Sequence, residues 1–218
     1  MRETANRLRL PDAFRHESNA MTRIRLLQTN ELEPDIAADC LQFEAVTGDS
    51  SGWRALAHRP DLLRLLRGFY TPLQFEGLLS RKLIELVRLG IAQINQCQNC
   101  LLTRYPDSIE DGLTEELVRA LPDAQASPLF TEREKAAIEF GQKMARNHFS
   151  IGDEDFIRLH LHFSEQEVVE LCLDVAMFVG LGRLFATIDA RNTVCVIPTA
   201  TKTATDGGTA PDVRAREI

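Results

Sequence analysis

Apolar residues recur at three- and four-residue intervals along most of this chain, and no stretch alternates strictly enough to predict a strand. From Pro34 to Val46 the apolar positions are Ile36, Ala37, Cys40, Leu41 and Phe43, a helical spacing. From Asp61 to Tyr70 they are Leu62, Leu63, Leu65, Leu66 and Phe69, with Pro60 suited to the first turn. Ser80 opens a predicted helix through about Ile94, which ends near the polar Asn95-Gln96. A shorter helix is predicted from Asn99 to about Ser108, beginning at a pair of cysteines and interrupted by Pro106. Thr131-Glu132-Arg133-Glu134 and Ser164-Glu165-Gln166-Glu167 each read as a capping box before an apolar run. Asp153 to Phe163 fills the gap between those two helices. The last run, Val168 to Ile188, contains Glu170, Asp174 and Arg183, too many charges for a membrane span, and reads as a helix buried on most sides. The predicted class is all-α, a bundle whose core comes from helix-on-helix packing.

Both ends depart from this pattern. Residues 1–20 are broken by Pro11 and charges and read as a flexible extension, with Met21 a candidate true start. Residues 198–218 are rich in Thr, Ala, Gly, Pro and Asp without apolar period and read as a disordered tail. One domain is therefore expected over 21–197. The chain has 218 residues, 44% of them hydrophobic and 26% charged, which suits a substantial core. A net charge of −7, with acids beside most basic clusters, argues against nucleic-acid binding. The basic N-terminus is followed by no apolar segment of the kind that directs export. The expected location is the cytoplasm, where five cysteines suggest reactive or metal-binding thiols rather than a disulfide scaffold.

Cys97 and Cys100, in Gln96-Cys97-Gln98-Asn99-Cys100, carry the strongest chemical signal. A Cys-x-x-Cys at a helix start can close a small ring, and helix amides favour the reactive thiolate. If one helix begins at Cys97, then Cys97, Cys100 and Arg104 share a face, and the Arg104 charge reaches back one turn toward Cys100. The plain alternative is that the pair fills space in the core, the role also expected of Cys40, Cys172 and Cys195. Glu85 is an isolated acid in an apolar helix: either a buried proton carrier or the partner of Arg81 or Arg88 on a solvated stripe. Zinc held by the cysteines with two of His148, His160 and His162 is formally acceptable, but His160 and His162 are two residues apart and point in different directions on a helix. No metal or other cofactor is expected.

The run Arg81-Lys82-Leu83-Ile84-Glu85-Leu86-Val87, followed by Gln93-Ile94-Asn95-Gln96-Cys97-Gln98-Asn99-Cys100, resembles the alkylhydroperoxidase-D-like branch of the carboxymuconolactone decarboxylase family. Thr131 onward and Phe163 to Leu171 resemble the later helices of that family, and Met21 onward with Trp53 to Pro60 the leader of its longer members. The resemblance implies an all-helical homo-oligomer, trimer or hexamer, that reduces a peroxide or exchanges disulfides without metal or flavin, and is recharged by an external dithiol. It also implies that Cys100 attacks, Cys97 resolves and Glu85 is the relay acid. Helix-end reasoning alone favours Cys97 as the attacking sulfur. Where the family relay has a histidine, four residues after the second cysteine, this chain has Arg104, and Asn99 precedes the second cysteine. Proton delivery then falls to Glu85 through water, to Tyr105, or to a histidine from elsewhere. Two further readings stand beside this one: a non-catalytic helical oligomer acting as scaffold or regulator, and a cofactor-free decarboxylase or lyase acting on a lactone acid.

Overall fold

A computed structural model describes residues 22–189, and within them the chain is helices and turns with no strand. The predicted extension 1–20, the tail 198–218, Met21, and residues 190–197 with Cys195 lie outside the described residues. The helices are α1 (Pro34–Thr47), α2 (Ser51–Leu56), α3 (Pro60–Phe75), α4 (Arg81–Asn95), α5 (Gln98–Leu102), α6 (Pro106–Glu110), α7 (Glu115–Ala120), α8 (Glu132–Asn147), α9 (Asp153–His160) and α10 (Glu165–Ile188).

Helix α4 is the centre of the bundle. Every residue from Leu83 to Ala92 is buried, so the helix is enclosed on all sides. Leu83, Ile84, Val87 and Ile91 pack with Phe140 of α8 and with Leu171, Val175 and Phe178 of α10. On the opposite side, Leu86 and Leu89 meet Leu113, Leu117, Leu121 and Ile138. A third cluster, Ile36, Cys40, Trp53 and Leu63, joins α1, α2 and α3. Close approach of α8 to α4 depends on Gly141, where a Cβ would lie 2.9 Å from Val87 Cγ1.

The helix starts follow their capping residues. Thr131 N donates to Glu134 Oε2 at 2.8 Å while Glu134 N donates to Thr131 Oγ1 at 3.2 Å, so the box opens α8 as its spacing predicts. Ser164 and Glu167 repeat this at α10, at 2.8 and 3.4 Å. Helix α3 runs five residues beyond the predicted Tyr70, through Pro72. Its last turn is held from outside: the Phe75 ring packs against Tyr105 at 5.5 Å, and the Arg81 guanidinium lies 4.4 Å over Phe75.

Helix α10 is less covered than expected. It is long and apolar enough to cross a membrane, by length and composition. Here Val168, Leu171, Val175 and Phe178 face the core, and Glu170 accepts hydrogen bonds from the backbone of Leu78 (2.7 Å) and Leu79 (2.9 Å). Its outer face leaves Val169, Leu173 and Leu184 exposed.

Candidate active site

The two cysteines sit on a sharp turn at the end of α4. Gln96 adopts the left-handed conformation, φ 53°, and closes α4 with its N–H on Ala92 O. This reversal starts α5 at once, and Cys97 O accepts the first hydrogen bond, from Leu101 N at 2.9 Å. Cys97 and Cys100 form a disulfide with their Cα atoms 5.3 Å apart, within the usual span of a disulfide. Their surroundings differ: Cys97 is buried at 2% exposure, whereas Cys100 is half-buried and lines a cavity.

The helix carrying the cysteines ends at Leu102, six residues short of the predicted Ser108. Pro106 forbids helical backbone at the residue before it, and Tyr105 is accordingly extended (φ −92°, ψ 130°). Pro106 then opens α6. The shared face of Cys97, Cys100 and Arg104, which needs a continuous helix, therefore does not form. Arg104 instead pairs with Glu115 (Nε to Oε1, 2.7 Å) and donates to the carbonyls of Leu101 (2.7 Å) and Thr103 (2.9 Å). It is not among the residues lining the cavity beside Cys100.

The cation that touches the Cys100 loop is Arg88, which the sequence offered only as a partner for Glu85 on a solvated stripe. Glu85 and Arg88 do pair, in two parallel 2.7 Å bonds, but Glu85 is 0% exposed and Arg88 6%. The remaining side of the guanidinium donates to Cys100 O at 2.7 Å and Thr103 O at 3.0 Å. These carbonyls lie at the C-terminal end of α5, where no intrahelical donor reaches them. Arg88 thus joins the buried acid to the cysteine turn. Burial works against its charge, but the Glu85 carboxylate overrides this and holds its pKa above the ordinary arginine value.

The cavity beside Cys100 has a volume of about 180 Å³. Arg88, Thr103 and Tyr105 line it together with Cys100, and Tyr70 and Phe178 continue the wall. Phe43 of α1, Trp53 of α2 and Phe185 of α10 complete it. Burial pushes the Tyr105 hydroxyl up to about 12, so it keeps its proton at neutral pH. Burial likewise raises Tyr70 well above the ordinary phenol value. The aromatic wall was not foreseen as part of a site; Trp53, the single tryptophan, was the one available signal. No group of three or more His, Cys, Asp or Glu side chains able to hold a metal ion occurs among the described residues.

Residues 60–143, from α3 into α8, match the carboxymuconolactone decarboxylase family model, a span that contains Glu85, Arg88, Cys97 and Cys100. Over this segment the chain is similar to the carboxymuconolactone decarboxylase family. The uncharacterized protein YnjA of Escherichia coli (strain K12) is 30% identical over 126 residues; the match covers 54% of this chain and 66% of that one, just under two thirds of the relative's length. An uncharacterized peroxidase-related protein of Ralstonia eutropha JMP134, with an alkylhydroperoxidase AhpD core, superposes with a TM-score of 0.64 at 21% identity, covering 80% of this chain and 93% of the other. The debrominase Bmp8, solved in complex with 2,3,4-tribromopyrrole, superposes with a TM-score of 0.66 at 18% identity, covering 77% and 90%. At such identities the two structures establish a shared helical fold. The matched segment leaves out α1, α2 and α10, which supply Phe43, Trp53, Phe178 and Phe185 to the cavity wall.

Proposed function

We propose that this chain is a thiol-dependent peroxidase or disulfide oxidoreductase of the alkylhydroperoxidase-D-like kind. The observation that carries the reading is the unequal placement of two bonded cysteines: Cys100 half-buried and lining the cavity, Cys97 buried and not among its lining residues. The accessible thiol attacks and the sheltered one resolves. Helix-end stabilisation of Cys97 has little weight, because α5 has only five residues and few aligned peptide dipoles. The Arg88 guanidinium, bound to the Cys100 carbonyl, is a charge placed to favour a Cys100 thiolate.

The cycle balances without a bound cofactor. The Cys100 thiolate attacks the outer oxygen of a hydroperoxide, the O–O bond breaks, and the leaving alkoxide takes a proton to become an alcohol. Tyr105, protonated and on the cavity wall, supplies that proton in place of the relay histidine. The Cys100 sulfenic acid then condenses with the Cys97 thiol, forming the disulfide and releasing water. An external dithiol returns two electrons by exchange. Glu85 acts through Arg88, holding its charge and orientation, while Arg104 fastens the end of α5 to α7 through Glu115.

A decarboxylase acting on a lactone acid needs a cation free to bind the substrate carboxylate. Arg88 lines the cavity, but four of its five N–H groups are committed to Glu85, Cys100 O and Thr103 O. That favours the thiol reading. The exposed apolar face of α10, with Val169, Leu173 and Leu184, together with Leu62, Leu65 and Phe69 of α3, supports a homo-oligomer. The test of the function is turnover: reduced protein with hydroperoxide and a dithiol should consume both, and Cys100→Ser should abolish this. Equal consumption by Cys100→Ser would refute it.

A further inference from the structure

The cavity over Cys100 is larger and more apolar than attack on a peroxide requires. Its volume is about 180 Å³, against roughly 150 Å³ for a protein cavity that accommodates benzene and roughly 30 Å³ for the share of one molecule in liquid water. Hydrogen peroxide would occupy a small part of it and leave the aromatic walls wet. One wall of the cavity is a group of rings around Trp53: Phe43 at 5.7 Å and Phe185 at 6.1 Å, both edge-on, with Tyr70 at 6.3 Å. Edge-to-face packing of this kind is also how an aromatic guest meets an aromatic host. Phe185 is seated against Gly52, where a Cβ would lie 2.9 Å from its ring, so the backbone of α2 fixes that side of the cavity.

We infer that this cavity binds a single apolar ring, and that Trp53, Phe43 and Phe185 select a ring-bearing hydroperoxide over a small one for presentation to Cys100. The selectivity rests on the thiol reading above and adds the class of substrate to it. It also gives a function to α1 and α2, which lie outside the matched family segment. The hydroperoxide end faces Cys100, Arg88 and Tyr105 while the ring lies among the aromatics, and the product is the corresponding ring-bearing alcohol.

Two measurements test this on the full chain. The first is equilibrium binding to the disulfide form. Trp53 is the chain's only tryptophan and lies in the wall, so its fluorescence reports occupancy. Titration with 2-phenylpropan-2-ol should give a saturable change, and tert-butanol none. The second is the rate of Cys97–Cys100 closure in reduced protein. Cumene hydroperoxide should react at least tenfold faster than tert-butyl hydroperoxide or hydrogen peroxide. Phe185→Ala, and independently Gly52→Ala, should reduce that preference, with circular dichroism confirming folded variants. Saturable alcohol binding without peroxide-driven closure would uphold the ring site and refute the peroxidase reading. Closure at equal rates with all three peroxides, with no saturable fluorescence change, would overturn the ring site and leave the peroxidase reading intact.

Discussion

Truncating Arg88 to alanine would leave the fully buried Glu85 carboxylate without its counter-charge and would remove the side-chain donor to the Cys100 carbonyl, while Thr103 O keeps its bond from Arg104. Breaking one side of a buried pair costs about 3–5 kcal/mol, and urea unfolding of Arg88→Ala should show a loss of that size. Arg104→Ala should behave differently. Its ion pair with Glu115 is open to solvent on the Glu115 side, so its loss should cost about 1 kcal/mol and leave the rate of disulfide closure within about twofold, since no step is assigned to it. Equal effects of the two substitutions would contradict the assignment of Arg88 as the cation of the site. A second residue-scale prediction concerns Asp174, buried at 1% exposure, whose two carboxyl oxygens have no hydrogen-bond partner among the described residues. Burial, reinforced by Glu170 and opposed by Arg81, pushes its pKa from 3.8 up to about 8. Between those values the folded protein keeps a proton that the unfolded chain has lost, so stability falls as pH rises through that window. The slope attributable to this group is at most on the order of 1.4 kcal/mol per pH unit. Asp174→Asn should flatten the difference in unfolding free energy between pH 5 and pH 8; an unchanged slope would show that Asp174 is not the source.

At the scale of elements, the sequence was most legible where structure is local. The boxes at Thr131 and Ser164 and the cap at Ser80 are three-residue relations, and each opens its helix where the spacing places it. The short α5 was harder. Pro106 was visible as an interruption, but the early stop at Leu102 also involves Arg88 capping Cys100 O and Thr103 O from twelve and fifteen residues upstream. The aromatic wall was harder still, because Phe185 of α10 joins Phe43 and Trp53 from the far end of the described chain and no short pattern records it. Glu85 illustrates the middle ground. Its apolar neighbours suggested burial and its spacing to Arg88 suggested pairing, and the structure combines the two. Packing of α8 on α4 yields a further test. Gly141→Ala would place a Cβ 2.9 Å from Val87 Cγ1 and 3.2 Å from Ile91 Cδ1. Overpacking of this kind costs about 1–3 kcal/mol, so a Tm equal to that of the wild type would mean the helices separate freely.

At the scale of the whole molecule, the bundle buries α4 from Leu83 to Ala92 and leaves several apolar side chains of α10 and α3 exposed. A chain with this much exposed apolar surface should assemble with copies of itself. Light scattering after size exclusion should give a mass at least twice 24.5 kDa, and Leu173→Asp should lower it. A monodisperse wild-type monomer would contradict that expectation. The claim on which the account depends is more local: that Cys100 meets the oxidant and Cys97 captures the product. Reduced protein should be treated with one equivalent of cumene hydroperoxide, alkylated, and mapped by peptide mass spectrometry. The account predicts a Cys97–Cys100 disulfide in the wild type and a dimedone-reactive sulfenic acid at Cys100 in Cys97→Ser. Oxidation confined to Cys97, or no oxidation at either sulfur, would contradict it.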